Sequence, residues 1–254
     1  AAPKHTIRMK TIVFSFLFLC IPFYSFGWGA EGHKMVAVIA KKKLNPGVEA
    51  RVQKYLDSTS FEQASVWMDE IKSDHKYDYM KPWHYVNIEK GGSYVKSPKG
   101  DIVSELNRII AELKNHKTMK PADVKTDLLV LFHLCGDMVQ PLHVGYGNDK
   151  GGNDIKLTLN GKETNLHRIW DTDIIVNEKI TADGSLKTAN KWTVGQVTVI
   201  AKVDVLAWMN DSRSLLAQVY NFKNGKITRA YMKKSKSIVE RQIVKGGIRL
   251  AAVL

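Results

Sequence analysis

The chain has 254 residues, of which 44% are hydrophobic and 25% are charged, and its formal net charge is +13. This composition is ordinary for a globular domain with a substantial core, and it excludes a chain too poor in apolar residues to form one. The positive charge suits an anionic partner such as nucleic acid, although a solvated cationic surface without a partner explains it equally well.

An apolar segment near the N-terminus predicts a secretory signal peptide over residues 9–27. Lys10 precedes an uncharged apolar run over residues 11–21, and small residues stand at Ser25 and Gly27, three positions and one position before the predicted cleavage site. A membrane anchor or a buried core segment is the alternative. Because the run is shorter than the roughly 20 residues that a spanning helix needs, we prefer export.

We therefore expect Met9 to be the natural start, with residues 1–8 derived from a vector or from upstream sequence. Cleavage before Trp28 would leave one domain, residues 28–254, which would be periplasmic or secreted and without stable membrane association. Cys135 is the one cysteine of that domain, so an internal disulfide is excluded. Bound metal would stabilise such a fold, since an ion that binds only the folded state adds to its stability.

Helical periodicity dominates the rest of the chain. We predict helices, in chain order, over residues 30–43, 61–74, 101–115, 121–139, 164–176, 203–222 and 227–250. Breaks are predicted at Asn45-Pro46-Gly47 and Gly91-Gly92. Residues 154–164 predict a β-hairpin, because apolar residues alternate before an Asn160-Gly161 turn. The fold class is mainly α, a single compact multi-helix domain with one short β-hairpin.

Histidine and aspartate residues at metal-ligand spacing are the most informative feature. His133 and Asp137 are separated by three residues, as are His167 and Asp171, so each pair lies on one face of a helix. His143 lies between the two pairs. One pair alone is equally well explained by a hydrogen bond within a helix, but the whole set predicts a polynuclear metal site.

Further candidate ligands lie earlier in the chain. His33 follows the predicted cleavage site closely, so a free amine on Trp28 would stand near an imidazole, and Asp69 and His84 lie in two aromatic-rich segments. Cleavage of the leader would then be a step in assembling the site, because it liberates that amine. His75 and His116 have no such neighbours and are predicted to be surface residues.

A set of motifs carries these residues in a characteristic order. They are Trp28-Gly29-x-x-Gly32-His33, Trp67-x-Asp69-x-x-Lys72, His84-Tyr85-Val86-Asn87, His133-x-x-Gly136-Asp137-x-x-Gln140-Pro141-Leu142-His143, Gly151-Gly152-Asn153 and Asn165-Leu166-His167-x-x-Trp170-Asp171. In content and order the chain resembles the S1/P1 nucleases, the zinc-dependent single-strand nucleases of fungi, plants and bacteria. The resemblance implies a phospholipase C/nuclease-like fold and an exported endonuclease.

The resemblance also implies three Zn²⁺ ions per chain. The first would be held by Asp69, His84, His133 and Asp137. The second would be held by the amino and carbonyl groups of Trp28, by His33 and by a bridging Asp137. The third would be held by His143, His167 and Asp171.

The chemistry that follows from the resemblance is hydrolysis of phosphodiesters. Water activated by the two close zinc ions would be the nucleophile, and Asp69 would orient it. The third ion would bind the phosphate and neutralise the departing 3′-oxygen, with Lys72 balancing charge on the phosphoryl oxygens. Expected substrates are single-stranded DNA and RNA, cut to 5′-phosphate products, together with 3′-mononucleotides, and the protein is expected to be a monomer.

A base-binding pocket is implied by the same resemblance. Tyr85 would stack on a base, while Asn87 and Asn153, supported by Gly151 and Gly152, would bond its edge. Fungal and plant members commonly have aspartate where this chain has Asn87. An amide donates as well as accepts hydrogen bonds, so the base preference stays open.

The sequence allows two other interpretations. Zinc-dependent phospholipases C resemble this family, but they typically have glutamate at the last ligand position, where this chain has Asp171, and a basic surface favours polyanions over choline lipids. The second is a non-catalytic zinc- or nucleic-acid-binding module. Such a module has no need of an open coordination position, so turnover with bound zinc distinguishes it.

Overall fold

A computed structural model of the protein describes residues 28–254; the predicted signal peptide and residues 1–8 lie outside the described residues. The helices α1 to α12 are Ala30–Lys43, Pro46–Leu56, Phe61–Glu70, Ile102–Lys114, Pro121–Asp137, Leu166–Arg168, Ile174–Asn177, Ala182–Ala189, Val194–Ala201, Val205–Arg213, Leu216–Val219 and Arg229–Val253. Short 3₁₀ helices are Ile71–Ser73, His75–His84, His116–Thr118 and Pro141–Val144, and a π-helical segment is Ile169–Asp173. The strands β1 and β2 are Lys156–Leu159 and Lys162–Asn165. The mainly helical fold class is confirmed.

Local sequence signals explain most of the helix boundaries. Asp101 accepts hydrogen bonds from the backbone N–H groups at the start of α4, and Ser60 with Gln63 forms a capping box before α3. Pro121 occupies the first turn of α5, as predicted. The helix α1 has the predicted bounds, whereas α5 ends at Asp137 rather than Val139.

The other differences between the predicted and observed helices concern where a helix begins, ends or divides. Asn45-Pro46-Gly47 was predicted as a break, and it does separate two helices, but Asn45 caps α2 and Pro46 is already its first residue. The predicted helix over 164–176 begins at Leu166 and contains the π-helical segment, and the predicted helix over 203–222 divides into α10 and α11. The helices α2, α8 and α9 were not predicted.

The hairpin is antiparallel, with Lys156 opposite Asn165 and Leu159 opposite Lys162. Both central residues of its turn, Asn160 and Gly161, have positive φ values of 51° and 77°. These are the values that a two-residue type I′ turn needs, so the predicted Asn-Gly turn is confirmed.

The core is built on α5, which is buried over most of its length, and on α1 packed against α12. Gly247 in α12 allows the close approach of the latter pair, because a Cβ atom there would overlap Ile39 of α1. Over residues 28–254, no helix combines the length and apolarity needed to cross a bilayer. The helices α1, α3 and α5 direct four polar side chains, those of His33, Asp69, His133 and Asp137, toward one internal site.

Candidate metal centre and substrate cleft

Eight predicted ligand side chains converge on one buried site, although they come from seven helical segments. His33 lies on α1, His133 and Asp137 on α5, and the others near the ends of short segments. They form three groups of metal-ligating type, in each of which the ligand atoms lie within 4.8 Å of one another: His33, Asp69 and His133; His84, His133 and Asp137; His143, His167 and Asp171.

The carboxylate of Asp137 occupies the centre of this arrangement. Its Oδ1 lies 3.3 Å from Nε2 of His33, and its Oδ2 lies 3.0 Å from Nδ1 of His84 and 3.2 Å from Nε2 of His133. Burial alone would raise the pKa of Asp137, but His133 and His143 hold this pKa well below its usual range. The two oxygens thus face different histidines, as a bridging ligand requires.

Backbone carbonyls orient three of the imidazoles. Nδ1 of His133 is 2.8 Å from the carbonyl oxygen of Ser65, and Nδ1 of His143 and of His167 are 2.7 and 2.6 Å from the carbonyls of His84 and Gly151. A carbonyl only accepts, so each Nδ1 carries a proton. In the neutral imidazole with this tautomer, Nε2 is the nitrogen whose lone pair can bind a metal.

Burial also favours neutral imidazoles in this site. It lowers the pKa of His84 to about 4 and that of His167 to about 3. A neutral imidazole is the form that binds metal. Near neutral pH both rings are accordingly available as ligands without losing a proton first.

Gln140 is a residue of the site to which the sequence interpretation gave no role. Its Nε2 donates to Oδ1 of Asp171 at 2.7 Å, and its side-chain oxygen accepts from the backbone N–H of Leu142 at 2.5 Å. Oδ2 of Asp171 is thereby left 3.2 Å from Nε2 of His167. The signal for this role was a polar residue between the ligands Asp137 and His143.

Gly136 makes room for His33 between the two ligands of α5. The rings of His33 and His133 are stacked with centroids 4.0 Å apart, and a Cβ atom on Gly136 would overlap Nδ1 of His33. Only glycine permits this approach. The lack of a side chain at position 136 of α5 therefore determines where the imidazole of His33, on α1, can lie.

Several buried polar atoms of the site have no hydrogen-bond partner among the described residues. They are Nδ1 and Nε2 of His33, Nε2 of His143 and of His167, Oδ1 of Asp137 and Oδ2 of Asp171. Each buried polar atom without a partner costs about 1–3 kcal/mol. Metal ions would satisfy these atoms together, and buried neutral imidazoles with carboxylates are a donor set that zinc prefers. The residues present therefore fit a zinc cluster.

Asp69 and Lys72 lie at the mouth of the site. Their side chains are 23% and 22% exposed, and Nζ of Lys72 donates to Oδ1 of Asp69 at 2.8 Å. Burial opposes ionisation of Asp69, but His133 and Lys72 lower its pKa below the usual value. A partly exposed, ionised carboxylate beside an ammonium group thus faces the entrance.

Trp28 lies against the same site at the start of the described chain. Its side chain is buried, and the N–H of Gly29 donates to the carbonyl oxygen of Asp171 at 2.8 Å. The backbone that follows the predicted cleavage site is therefore held directly beside a ligand residue.

A cleft of about 870 Å³ opens onto the third group of ligands. His143 and His167 form part of its wall, together with Tyr85, Asn87 and Asn153, which the sequence predicted as base-binding residues. Tyr85 is 39% exposed, so its ring is accessible. The structure thus brings an aromatic ring and two amides to the edge of the candidate metal site.

Three groups of residues lie elsewhere. Gly151 and Gly152 are buried behind the cleft, where the carbonyl of Gly151 accepts from His167. His75 lies beside Asp78, with Nδ1 3.1 Å from the carboxylate, and His116 donates to the carbonyl of Leu113. The two histidines predicted to lie outside the site do lie outside it.

Comparisons with known proteins identify relatives over most of the chain. Residues 28–254 match the family described as S1/P1 Nuclease. The chain is 30% identical to Endonuclease 3 of Arabidopsis thaliana, over 89% of this chain and 87% of that protein. It is 26% identical to Nuclease S1 of Aspergillus oryzae, over 91% of each chain, and 26% identical to Nuclease P1 of Penicillium citrinum, over 88% of this chain and 95% of that protein.

Proposed function

The chain belongs to the S1/P1 nuclease family and is a nuclease, and from this premise we propose that it is an exported, zinc-dependent phosphodiesterase. Its substrates are single-stranded DNA and RNA, which it hydrolyses to 5′-phosphate products, and it also dephosphorylates 3′-mononucleotides. The observation that carries this proposal is the convergence of three buried histidine and aspartate groups on a cleft lined by Tyr85, Asn87 and Asn153.

The proposed zinc ligand sets use the same side chains, and one set coincides with a group, that of His143, His167 and Asp171. Asp69, His84, His133 and Asp137 would hold one ion; the amine and carbonyl of Trp28, His33 and Asp137 would hold a second; His143, His167 and Asp171 would hold a third. Zinc supplies Lewis acidity, lowering the pKa of bound water and neutralising negative charge on phosphate oxygens. The central position of Asp137, with one oxygen toward His33 and the other toward His84 and His133, supports its assignment as a bridge.

Asp69 and Lys72 act at the mouth of the site. The ionised carboxylate of Asp69 accepts a hydrogen bond from the attacking water and so fixes its orientation toward phosphorus. Lys72 donates to a phosphoryl oxygen as negative charge accumulates there. Their direct ion pair, at 2.8 Å, holds the two groups side by side.

Tyr85, Asn87 and Asn153 hold the base next to the scissile phosphate. The ring of Tyr85 stacks on the base, which is worth about 1–3 kcal/mol, and the two amides bond its edge. A base in this cleft has left the helical stack, so a duplex would first have to unpair. Single strands are therefore the preferred substrates.

A direct test is digestion of single-stranded DNA, RNA, duplex DNA and a phosphatidylcholine emulsion side by side, with and without zinc, followed by end-group analysis. We expect zinc-dependent cleavage of both single strands, with 5′-phosphate and 3′-hydroxyl ends. Hydrolysis of the lipid in preference to the nucleic acids would favour the phospholipase interpretation. Zinc binding without any turnover would favour the non-catalytic module.

Metal removal is expected to destabilise the protein as well as inactivate it. The mature protein should contain close to three zinc ions per chain, and a strong chelator should lower its melting temperature, because an ion at a thousand times its Kd contributes about 4 kcal/mol. Metal analysis and thermal unfolding measure the two effects, and added zinc should restore both. One zinc ion with full activity would contradict the proposed cluster.

Retention of a single residue before Trp28 is expected to lower activity by about tenfold to a hundredfold. The extra residue converts the proposed amine ligand into an amide, which does not coordinate in the same way. A matched control carries the same extension behind a protease site that regenerates Trp28, and cleavage there should restore turnover and zinc content. Equal activity before and after cleavage would remove the Trp28 amine from the ligand set.

A further inference from the structure

A second tight turn lies beside the hairpin, at residues 223–226. Asn224 and Gly225 have φ values of 54° and 63°, and the N–H of Lys226 donates to the carbonyl of Lys223 at 3.1 Å. This is the geometry of a two-residue type I′ turn, with Lys223 and Lys226 directly opposite each other. The turn therefore presents two ammonium groups side by side.

Like charges placed directly opposite each other are destabilising. Both lysines are exposed, and no ion pair with either is found within residues 28–254. By contrast, the nearby cations Lys150 and Arg229 are paired with Asp154 and Glu178. The turn thus keeps two adjacent positive charges that the protein itself leaves uncompensated, which favours an anionic ligand.

The turn is fixed to the wall of the substrate cleft. Thr158 of β1 donates its N–H to the carbonyl of Gly225 at 3.0 Å, and the N–H of Ile227 donates to the carbonyl of Thr158 at 3.1 Å. Thr158 and Gly225 both line the cleft. The two lysines are consequently held at a constant position relative to the candidate metal site.

On its other side the turn borders a second pocket, of about 270 Å³. Lys223, Lys226 and Lys234 line this pocket, and the half-buried ring of Phe222 contributes an apolar wall. Amide and hydroxyl groups complete the lining, among them those of Asn221 and Thr228. The combination of cations, an aromatic ring and small polar groups is typical of sites for single-stranded nucleic acid.

We propose that this second pocket and the Lys223–Lys226 turn bind the part of a single strand that continues beyond the cleft. The ammonium groups contact its phosphates and the pocket receives a base against Phe222. The inference rests on the proposed function, because the strand that occupies the cleft is what reaches the turn. One turn contributes to both walls, because Gly225 lines the cleft while its neighbours Lys223 and Lys226 line the second pocket, and this adjacency favours a strand leaving the cleft over an unrelated anion.

The test is the double variant Lys223→Gln, Lys226→Gln, assayed with its zinc in place. Binding of a long phosphorothioate oligothymidylate, measured by fluorescence anisotropy, should weaken roughly tenfold at 0.1 M salt, and the slope of log K against log salt should fall by about 1.4, since two phosphate contacts are lost. Cleavage of a thymidine dinucleotide, which is short enough to occupy only the cleft, should be unchanged. The long substrate should show a higher KM with an unaltered kcat.

The matched control is Lys114→Gln, Lys117→Gln, which removes the same charge from two exposed lysines that line neither pocket. An equal loss of affinity and slope in both double variants would reduce the effect to net charge and overturn the inference. Unchanged binding in the Lys223, Lys226 variant would overturn it as well. If the parent protein does not cleave the dinucleotide, the proposed function is refuted instead. The binding assay then still tests whether the Lys223–Lys226 turn binds a single strand.

Discussion

Asp137→Asn should reduce phosphodiesterase activity on the order of a thousandfold, more than any other single change in the site. The carboxylate lies within 3.4 Å of four imidazoles, those of His33, His84, His133 and His143. An amide carries no charge and presents its NH₂ group to one side, so it cannot serve two cations at once. Steady-state cleavage of a single-stranded oligonucleotide and zinc analysis of the purified variant measure the effect.

Lys72→Ala provides the comparison for this variant. Lys72 contacts Asp69 at the mouth of the site and is proposed to act on the phosphoryl oxygens, so its loss should cost about a hundredfold or less and leave the zinc content unchanged. If Lys72→Ala were the more damaging change, or if Asp137→Asn kept three zinc ions and its activity, the bridging assignment would be wrong.

Gly136→Ala should lower activity by about a hundredfold although residue 136 is not itself a proposed ligand. A methyl group there overlaps the imidazole of His33 and forces this ring away from Asp137. Displacement of one ligand weakens metal binding in the way that loss of a supporting contact does. We expect fewer than three zinc ions per chain, measured on the folded variant after gentle purification.

Gly195→Ala is the matched control, since Gly195 is also helical but its surroundings accommodate a methyl group. This variant should retain full activity and gain up to about 1 kcal/mol of stability from the better helix propensity of alanine. Near-parental activity and zinc content in Gly136→Ala would show that His33 tolerates displacement, contrary to the geometry.

The proximity of the candidate ligand side chains was predictable from local sequence information. The spacing of His133 and Asp137 on one helix and the order of the motifs selected eight side chains that the structure places close together, and their role as ligands stays a prediction. The groups that orient these ligands were not predictable in this way. The backbone carbonyl oxygen of Ser65, on α3, accepts from His133, on α5, where these two helices pack together. Because every residue has a backbone carbonyl, residue type does not indicate which one makes this contact.

A similar limit applies to the fold. Strong helical periodicity and capping signals predicted the bounds of α1, α4 and α5 to within two residues. Helix α9 was missed because Val194–Ala201 is apolar on most positions yet has no buried residue, so it carries no amphipathic pattern. The position of the second Asn-Gly turn, at 224–225, was not predicted. This turn lies beside β1 only because the fold brings together residues that are far apart in the chain.

If the proposed zinc cluster forms, the central carboxylate of Asp137 couples its three sites thermodynamically. Asp137 contacts histidines from all three groups of candidate ligands. An ion bound to one group would therefore change the electrostatic potential and the side-chain orientations at the next group. Thermodynamic linkage makes such effects reciprocal. If an ion at one site changes the zinc affinity of a second site by some factor, an ion at the second site changes the affinity of the first by the same factor. Titration with zinc should then depart from three independent isotherms, and the protein should pass between apo and fully loaded forms through unequal steps.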